Sequence, residues 1–420
     1  MSSDFSYKNI IRKEFFFLFF LYLTLLLSFI LGENSTGGVK IDFSLNEQLI
    51  FDFSENFIGT LLSYDDSGHR HSPVFLIFLS LFKRAGLNID FIRIINLHLS
   101  LLLPIVFFQC LKVKYLNYNK KIFIFLISLI FLSPTFRTLA IWPDSRLLGL
   151  VFFTLSIYYF LKFEDGKSFK FAIYNVIFLA LSSYISPNFS VFSLFFLIKF
   201  ILNYGIFSKK ILILIVTNLV LAFPAFYYIF VLDINFFLKS AAIIIKDERL
   251  IFNNLFNDIL ITFSIIFFYL IPFLFFKIIK NNKVLDLKNI LISTSIFLIC
   301  VFNFDYNYLN TGGGIFFKFS YFFFTNNYLF YLISFFSILI INSLISKNYL
   351  NIFLIVLIIL NNPQNTIYHK YFDPFLIIAF FTIFTFNIDL GKIFHKKNYL
   401  FIFAYFFLFF VISNLKLYYV

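Results

Sequence analysis

Apolar and polar positions alternate along this chain in long blocks, with polar residues collected in the short segments between them. A helix that crosses a bilayer needs about 20 apolar residues, or somewhat fewer where polar aromatic residues lie at the interfaces. By that criterion the chain contains roughly twelve or thirteen spanning helices. The predicted spans are 14–31, 92–111, 121–134, 146–162, 170–186, 188–203, 211–231, 259–277, 290–304, 325–345, 350–361, 374–388 and 399–418. The pattern predicts an all-α polytopic membrane protein with a single membrane domain over residues 1–420.

The connection after the first span, residues 32–91, is the longest and holds eight acidic residues. Apolar residues recur near the helical period over 45–62, which predicts an amphipathic helix on the membrane surface. The run Val74–Leu81 is too short to cross a bilayer, so it predicts an interfacial or re-entrant helix. Residues 232–258 show a similar amphipathic pattern. The remaining spans divide into a core set, 92–231, and a C-terminal set, 259–420.

Composition supports the membrane assignment and removes other classes. Of 420 residues, 61% are hydrophobic and 13% are charged, and the mean hydropathy is +0.91. A soluble globular domain must offer water a more polar surface than this allows. The net charge of +13 comes from short lysine clusters without a continuous basic face, so we expect no nucleic-acid partner.

Lysine and arginine are concentrated in alternate connections, which predicts that those connections are cytoplasmic, together with the N-terminus. The first connection then faces outward, and a bacterial cytoplasmic membrane with a periplasmic first loop is the expected location. The connections predicted to face outward are 32–91, 133–146, 184–188, 233–258, 303–318 and 361–374.

Asp42 follows the first span by about ten residues, so it lies close to the outer membrane surface. A carboxylate there can act as a general base that takes a proton from an acceptor hydroxyl. An interpretation of equal weight is that Asp42 is an ordinary solvated residue or the N-cap of the amphipathic helix.

The segment His69 to Pro73 closes the first connection. Arg70 is a candidate phosphate-binding residue, with His71 beside it. Asp65 and Asp66 with His69 and His71 have a loose ligand spacing, so a divalent cation is possible but not favoured. Cys110 and Cys300 both lie in apolar runs and predict neither a disulfide nor a zinc site.

A second group of charged residues occurs in the outward connections 133–146 and 361–374. Arg137 and Arg146 run against the usual bias of basic residues, so each needs a carboxylate or an anionic ligand such as a lipid phosphate. The alternative is an internal pair of Arg137 or Arg146 with Asp144, plus an interfacial Trp142. Lys370 and Asp373 repeat this chemistry at the mouth of a late span.

These motifs resemble the integral-membrane glycosyltransferases of the GT-C fold, in particular bacterial relatives of protein O-mannosyltransferases and of the aminoarabinose transferase that acts on lipid A. The resemblance covers roughly the first 200 residues. It rests on Asp42 after the first span, the segment His71–Val74, the segment Gly86–Arg93, and Arg137 with Asp144 and Arg146. Two positions depart from the family pattern, because Phe43 stands where an acidic pair is common and Ser72 replaces the first proline of a pair. The first departure makes Asp65 or Asp66 a substitute for Asp42 as the base.

The resemblance implies an enzyme that transfers a sugar from a polyprenyl-phosphate donor at the outer membrane face, with inversion and without a cofactor. Asp42 would deprotonate the acceptor hydroxyl, and Arg137, Arg146 and Lys370 would stabilise the leaving phosphate. The acceptor would be a lipid, a glycan or a protein. The competing functions are a transporter or flippase, or a polymerase, of lipid-linked glycans.

Overall fold

The computed structural model describes residues 3–69, 71–235, 254–281, 284–307, 312–346, 348–362 and 366–419. Within these ranges the regular elements are helices, and the extended backbone pairs only in one antiparallel bridge between Ile279 and Ile388. In chain order the helices are α1 (Ser3–Leu31), α2 (Val39–Glu55), α3 (Phe57–Leu62), α4 (Val74–Arg84), α5 (Ile89–Ser100), α6 (Leu102–Lys114), α7 (Lys120–Phe131), α8 (Pro134–Ile141), α9 (Ser145–Gly166), α10 (Phe169–Ile185), α11 (Ser193–Tyr204), α12 (Lys209–Phe226), α13 (Leu255–Phe275), α14 (Leu287–Phe302), α15 (Gly314–Phe324), α16 (Tyr328–Ile345), α17 (Tyr349–Leu360), α18 (Phe375–Thr382) and α19 (Asn398–Tyr419). The chain is therefore an all-α protein.

Seven helical segments in the described part of the chain are long and apolar enough to cross a membrane, which makes this a multi-pass membrane protein. They are Ile89–Lys114, Ser145–Gly166, Pro187–Tyr204, Lys209–Val231, Leu255–Phe275, Tyr328–Ile345 and His395–Leu415. An eighth results if α7 and α8, which are bent by 65° relative to each other, form one broken span. Four other predicted spans, 14–31, 170–186, 290–304 and 350–361, correspond to shorter apolar helices, so the predicted number holds only if these also cross.

Burial shows which helices are central. In α13, 72% of its 18-residue apolar stretch is buried. In the segment Lys209–Val231 the corresponding share is only 11%. The first therefore lies inside the bundle and the second at its periphery, where its apolar side chains face outward.

Two predicted boundaries in the second half of the chain are wrong. The predicted span 374–388 is an α-helix only over α18, after which the backbone turns at Ile383. Helix α15 occupies part of the connection predicted at 303–318 and the residues before the span predicted at 325. The remaining predicted amphipathic segment, 232–258, lies mostly outside the described residues.

The first connection folds as α2, α3 and α4, with a 3-10 turn Tyr64–Ser67 between α3 and α4. The amphipathic helix predicted at 45–62 begins earlier, at Val39, and breaks at Asn56, whose side chain accepts a hydrogen bond from Gly59 N (3.1 Å) and caps α3. Helix α4 has 11 residues and is about 16 Å long, as expected of an interfacial or re-entrant helix. Gly38 occupies the cap position of α2, so Asp42 lies in the first turn and is not the N-cap.

The six connections that the charge pattern places together do contact one another at one end of the bundle. The hydrogen-bonded pairs are Glu33 with Arg137, Ser72 with Tyr184, Asn188 with Asn362, Ser133 with Asp373, Asn257 with Asp305, and Tyr306 with Ile367. At the other end, Lys114 Nζ donates to the carbonyls of Thr382 (2.7 Å) and Phe384 (2.8 Å). The membrane side that each end faces stays a prediction.

Candidate active site

An ion pair between Asp42 and Lys370 joins two distant parts of the chain at the end formed by these connections. Asp42 lies in the first turn of α2, and Lys370 lies in the 3-10 turn His369–Tyr371 between α17 and α18. The distance from Asp42 Oδ2 to Lys370 Nζ is 3.6 Å. The Lys370 side chain is only 11% exposed, whereas that of Asp42 is 44% exposed. The carboxylate is thus accessible to an incoming hydroxyl, and the ammonium lies behind it.

Asp144 and Arg146 form a second pair at the start of α9. The Asp144 side chain caps this helix by accepting from Arg146 N (2.9 Å), which is why the chain turns there. Its two oxygens also accept from Arg146 Nε (2.8 Å) and Nη2 (2.6 Å). The guanidinium lies 5.2 Å from the centre of the Tyr371 ring. Arg146 Nη1 is buried and has no hydrogen-bond partner, so this nitrogen remains available to an anion.

Burial raises the pKa of Asp144, but the charge and hydrogen bonds of Arg146 outweigh this effect and hold that pKa well below its ordinary value. The pair is therefore ionised at neutral pH. Burial, reinforced by Arg146, lowers the pKa of Lys370 to about 8, while Asp42 and Asp144 act in the opposite direction. Lys370 is still mostly protonated at pH 7, so the site carries two cations.

His69 and His71 adjoin these charges. Their ring centres are 5.4 Å apart in an edge-to-face arrangement, and the Tyr64 hydroxyl donates to His71 O (2.8 Å). Burial lowers the pKa of His71 to about 4, and it also lowers the pKa of His69, although the Asp144 carboxylate opposes both shifts. Both imidazoles are consequently neutral at pH 7 and contribute polar atoms without charge.

A cleft of about 30 Å³, open to solvent at its mouth, lies beside these cations between α8, α9 and the segments before α11 and α18. Arg146, Lys370, Tyr371 and Asp373 line one part of it. The other polar residues that line it are Ser186, Asn188, Asn361 and Asn362, and the apolar ones are Phe136, Leu139, Leu147, Leu150, Phe189, Pro374 and Phe375. The cleft thus combines cationic, amide and apolar surface.

No family model, curated protein or solved structure matches the chain. The function must therefore be argued from the chemistry of this cleft.

Asp373 fixes the turn that carries Lys370. Its carboxylate accepts from Ser133 Oγ (2.5 Å) and Thr135 N (3.1 Å) at the start of α8. Behind the turn, His369 Nε2 and the Tyr269 hydroxyl of α13 are 2.9 Å apart. Burial raises the pKa of Asp373 against the effect of these donors. The turn is therefore held from two sides, which places Lys370 against α2 and α9.

Arg137, a predicted phosphate-binding residue, does not reach the cleft. All of its nitrogens are hydrogen-bonded inside the protein, and Glu33 supplies the carboxylate that the sequence suggested would be Asp144. The acceptors are Glu33, the hydroxyl and carbonyl of Thr24, Phe131 O and Ser28 Oγ. Arg137 thus joins α8 to α1 and has no donor left for a ligand. Trp142 likewise packs internally, donating to Glu33 O (2.9 Å) with the Arg93 guanidinium 3.9 Å from its ring centre.

Replacing Arg137 by Met should destabilise the fold by about 1.5–3 kcal/mol, because it leaves the buried Glu33 carboxylate with Ser35 Oγ as its remaining donor. The measurement is the melting temperature of the purified protein in detergent. Adding Glu33→Gln should recover part of the loss, and Arg84→Met, at an exposed position on α4, serves as the control. A melting temperature unchanged by Arg137→Met would show that this pairing does not support the fold.

The predicted residues of the first connection that the structure describes, Asp42, Asp65, Asp66 and His71, are not part of the cleft lining, although Asp42 is ion-paired to Lys370, which is. Asp65 is buried in the turn Tyr64–Ser67 and Asp66 is exposed there, and neither lines the cleft. Arg70 lies outside the described residues. Among the residues that are described, no group of three or more His, Cys, Asp or Glu is arranged to hold a metal ion.

Sequence reasoning missed the amides of the cleft, Asn188, Asn361 and Asn362, and set Tyr371 aside because tyrosine is common at membrane interfaces. A signal was present, because all four lie in or at the edge of connections predicted to face the same side as Asp42. Uncharged amides are frequent in ordinary turns, so their positions gave no reason to select them.

Proposed function

We propose that this protein is a membrane glycosyltransferase that moves a sugar from a polyprenyl-phosphate donor to an acceptor hydroxyl, with inversion at the anomeric carbon. The observation that carries the proposal is the accessible Asp42 carboxylate, which is ion-paired to Lys370, and Lys370 lines one cleft together with Arg146. A carboxylate can deprotonate the acceptor hydroxyl, and cations can stabilise the negative charge of the phosphate that leaves.

The bonds change in one displacement. Asp42 takes the proton of the acceptor hydroxyl as the oxygen of that hydroxyl attacks the anomeric carbon of the donor sugar. The bond from that carbon to the phosphate oxygen breaks, and its electron pair stays on the phosphate. Arg146, through the free Nη1, and Lys370 stabilise the additional negative charge. The products are the glycosylated acceptor and polyprenyl phosphate.

The apolar part of the cleft suits a lipid donor. Leu139, Leu147, Leu150 and Phe189 line the same space as Arg146. A phosphate bound at Arg146 therefore has apolar surface next to it, where the first isoprene units of the donor can be removed from water. A nucleotide sugar would not need such a surface.

The reaction is assigned to the outer face of the membrane, in a bacterial cytoplasmic membrane with the N-terminus inside. What supports this orientation is the lysine-rich character of the connections at the opposite end of the bundle. Lipids, glycans and proteins all present hydroxyls at that face, so each is an acceptor class to test.

The test is an assay of membranes that contain or lack the protein, incubated with a panel of radiolabelled polyprenyl-phosphate sugars. Label that becomes covalently attached to a new acceptor only when the protein is present supports the proposal. Label that crosses the bilayer in its original linkage would identify a flippase or transporter, and growth of a repeating lipid-linked glycan would identify a polymerase. Either result would replace the proposal.

A further inference from the structure

Three buried polar atoms without hydrogen-bond partners belong to residues that line the cleft. They are Asn361 Oδ1, Asn362 Nδ2 and Arg146 Nη1. Asn361 is 3% exposed and Asn362 is 5% exposed, so water does not cover these side chains as it covers surface amides. An unpaired buried polar atom costs folding free energy, and these three belong to residues of one cleft. Their occurrence together indicates polar groups held ready for a ligand.

The neighbouring contacts show which atoms of the two amides have no partner. Asn188 Nδ2 donates to Asn362 Oδ1 (2.7 Å), so the oxygen of that amide is occupied and its nitrogen is free. The free Asn362 Nδ2 is a donor, and the free Asn361 Oδ1 is an acceptor. A hydroxyl group can accept from the first and donate to the second. Arg146 Nη1 offers only donors, which suits an oxygen of a phosphate.

We propose that Asn361 and Asn362, with Asn188 orienting the latter, form a subsite for an uncharged, hydroxyl-bearing sugar whose phosphate is bound at Arg146. This assignment rests on the proposed glycosyltransferase function, and it names the donor class as neutral hexoses or N-acetylhexosamines. An amino sugar would need a carboxylate here, but the Asp373 carboxylate already accepts from Ser133 and Thr135. A uronic acid would add a second negative charge beside the phosphate. The free donor of this subsite, Asn362 Nδ2, is an uncharged amide nitrogen and does not neutralise that charge.

The experiment measures binding of two diesters of equal charge to the purified protein in detergent. One is a citronellyl phosphate esterified to glucose, galactose, mannose or N-acetylglucosamine, and the other is citronellyl methyl phosphate. At least one neutral sugar diester should bind about tenfold more tightly than the methyl diester, since two additional hydrogen bonds form. Diesters of an amino sugar and of a uronic acid should bind no more tightly than the methyl diester.

Asn361→Leu is the decisive variant because it removes an atom that has no partner in the protein. The preference for the sugar diester should fall from about tenfold to about threefold, because one of the two hydrogen bonds is lost, with the affinity for the methyl diester unchanged and the melting temperature equal or higher. Asn188→Ala should reduce the preference partly, because it releases the Asn362 amide. Asn218→Leu is the matched control, because the Asn218 amide donates to a carbonyl of its own helix, α12.

Several results would overturn the inference. Equal binding of the two diesters by the wild type would do so, as would an unchanged preference in Asn361→Leu. A lower melting temperature with equal loss of both diesters would assign Asn361 a structural role instead. If the sugar preference is present but no donor supports transfer, the subsite stands and the proposed glycosyltransferase fails. Transfer without a sugar preference would support the glycosyltransferase and refute the subsite.

Discussion

Replacing Asp42 by Asn should reduce sugar transfer by about 10²–10⁴-fold, the usual contribution of a general base. Asn has nearly the same shape as Asp but cannot take the proton of the acceptor hydroxyl. The Asp42 side chain is partly exposed and its ion pair with Lys370 is 3.6 Å long, so little stability should be lost. The measurement is the initial rate of transfer in membranes, normalised to the amount of inserted protein.

Asp52→Asn is the matched control for this prediction. Asp52 lies on the same helix, α2, and its carboxylate accepts from Gln48 Nε2 (2.8 Å), outside the cleft. This variant should transfer sugar at the wild-type rate. If Asp42→Asn also retains a rate within a few-fold of wild type, Asp42 is not the base, and Asp65→Asn and Asp66→Asn become the variants to measure.

Replacing Lys370 by Met should reduce transfer by about 10²–10³-fold, the effect expected when one group that stabilises developing charge is removed. Lys370→Arg keeps the positive charge and should retain much more of the rate. Lys40→Met is the control, because Lys40 lies on α2 with its ammonium 5.3 Å from the Trp142 ring centre. Equal rates for Lys370→Met and the wild type would remove Lys370 from the mechanism.

The pH dependence gives an independent measure of the same residue. Burial lowers the pKa of Lys370 to about 8 from the ordinary value of 10.5. The ammonium is present below that pKa and is lost as the pH rises through it, so wild-type transfer should decline above about pH 8. Lys370→Arg should abolish this decline, because the guanidinium stays protonated throughout the range. A decline at the same pH in Lys370→Arg would assign it to another group.

Long apolar runs predicted most of the helices, and alternating charge predicted which connections between them lie at the same end of the bundle. Both signals depend on the free energy of moving a side chain from water into lipid. Each residue contributes to that free energy largely independently of its neighbours. The bend between α7 and α8 was not predicted, because it depends on Ser133, whose hydroxyl caps α8 and also donates to Asp373, 240 residues later. Such a contact is a property of the folded chain, and one sequence does not show it.

The candidate site was predicted in its charged members and missed in its uncharged ones. A charged or titratable group in an outward connection of a membrane protein is conspicuous in the sequence. The members of the site that this signal identifies are Asp42, His71, Asp144, Arg146 and Lys370. The same signal identifies Arg137, although its guanidinium is paired with the Glu33 carboxylate inside the protein. The choice between an internal partner and a ligand depends on which carboxylate lies nearby in space. For the same reason Asn361 and Asn362 could not be recognised before the cleft was known.

The Asp42–Lys370 contact also has a consequence for synthesis of the protein. A ribosome delivers α2 early and the turn after α17 late, so for most of translation the carboxylate exists without its cation. The ion pair therefore forms late, when the segment carrying Lys370 docks against helices already in the membrane.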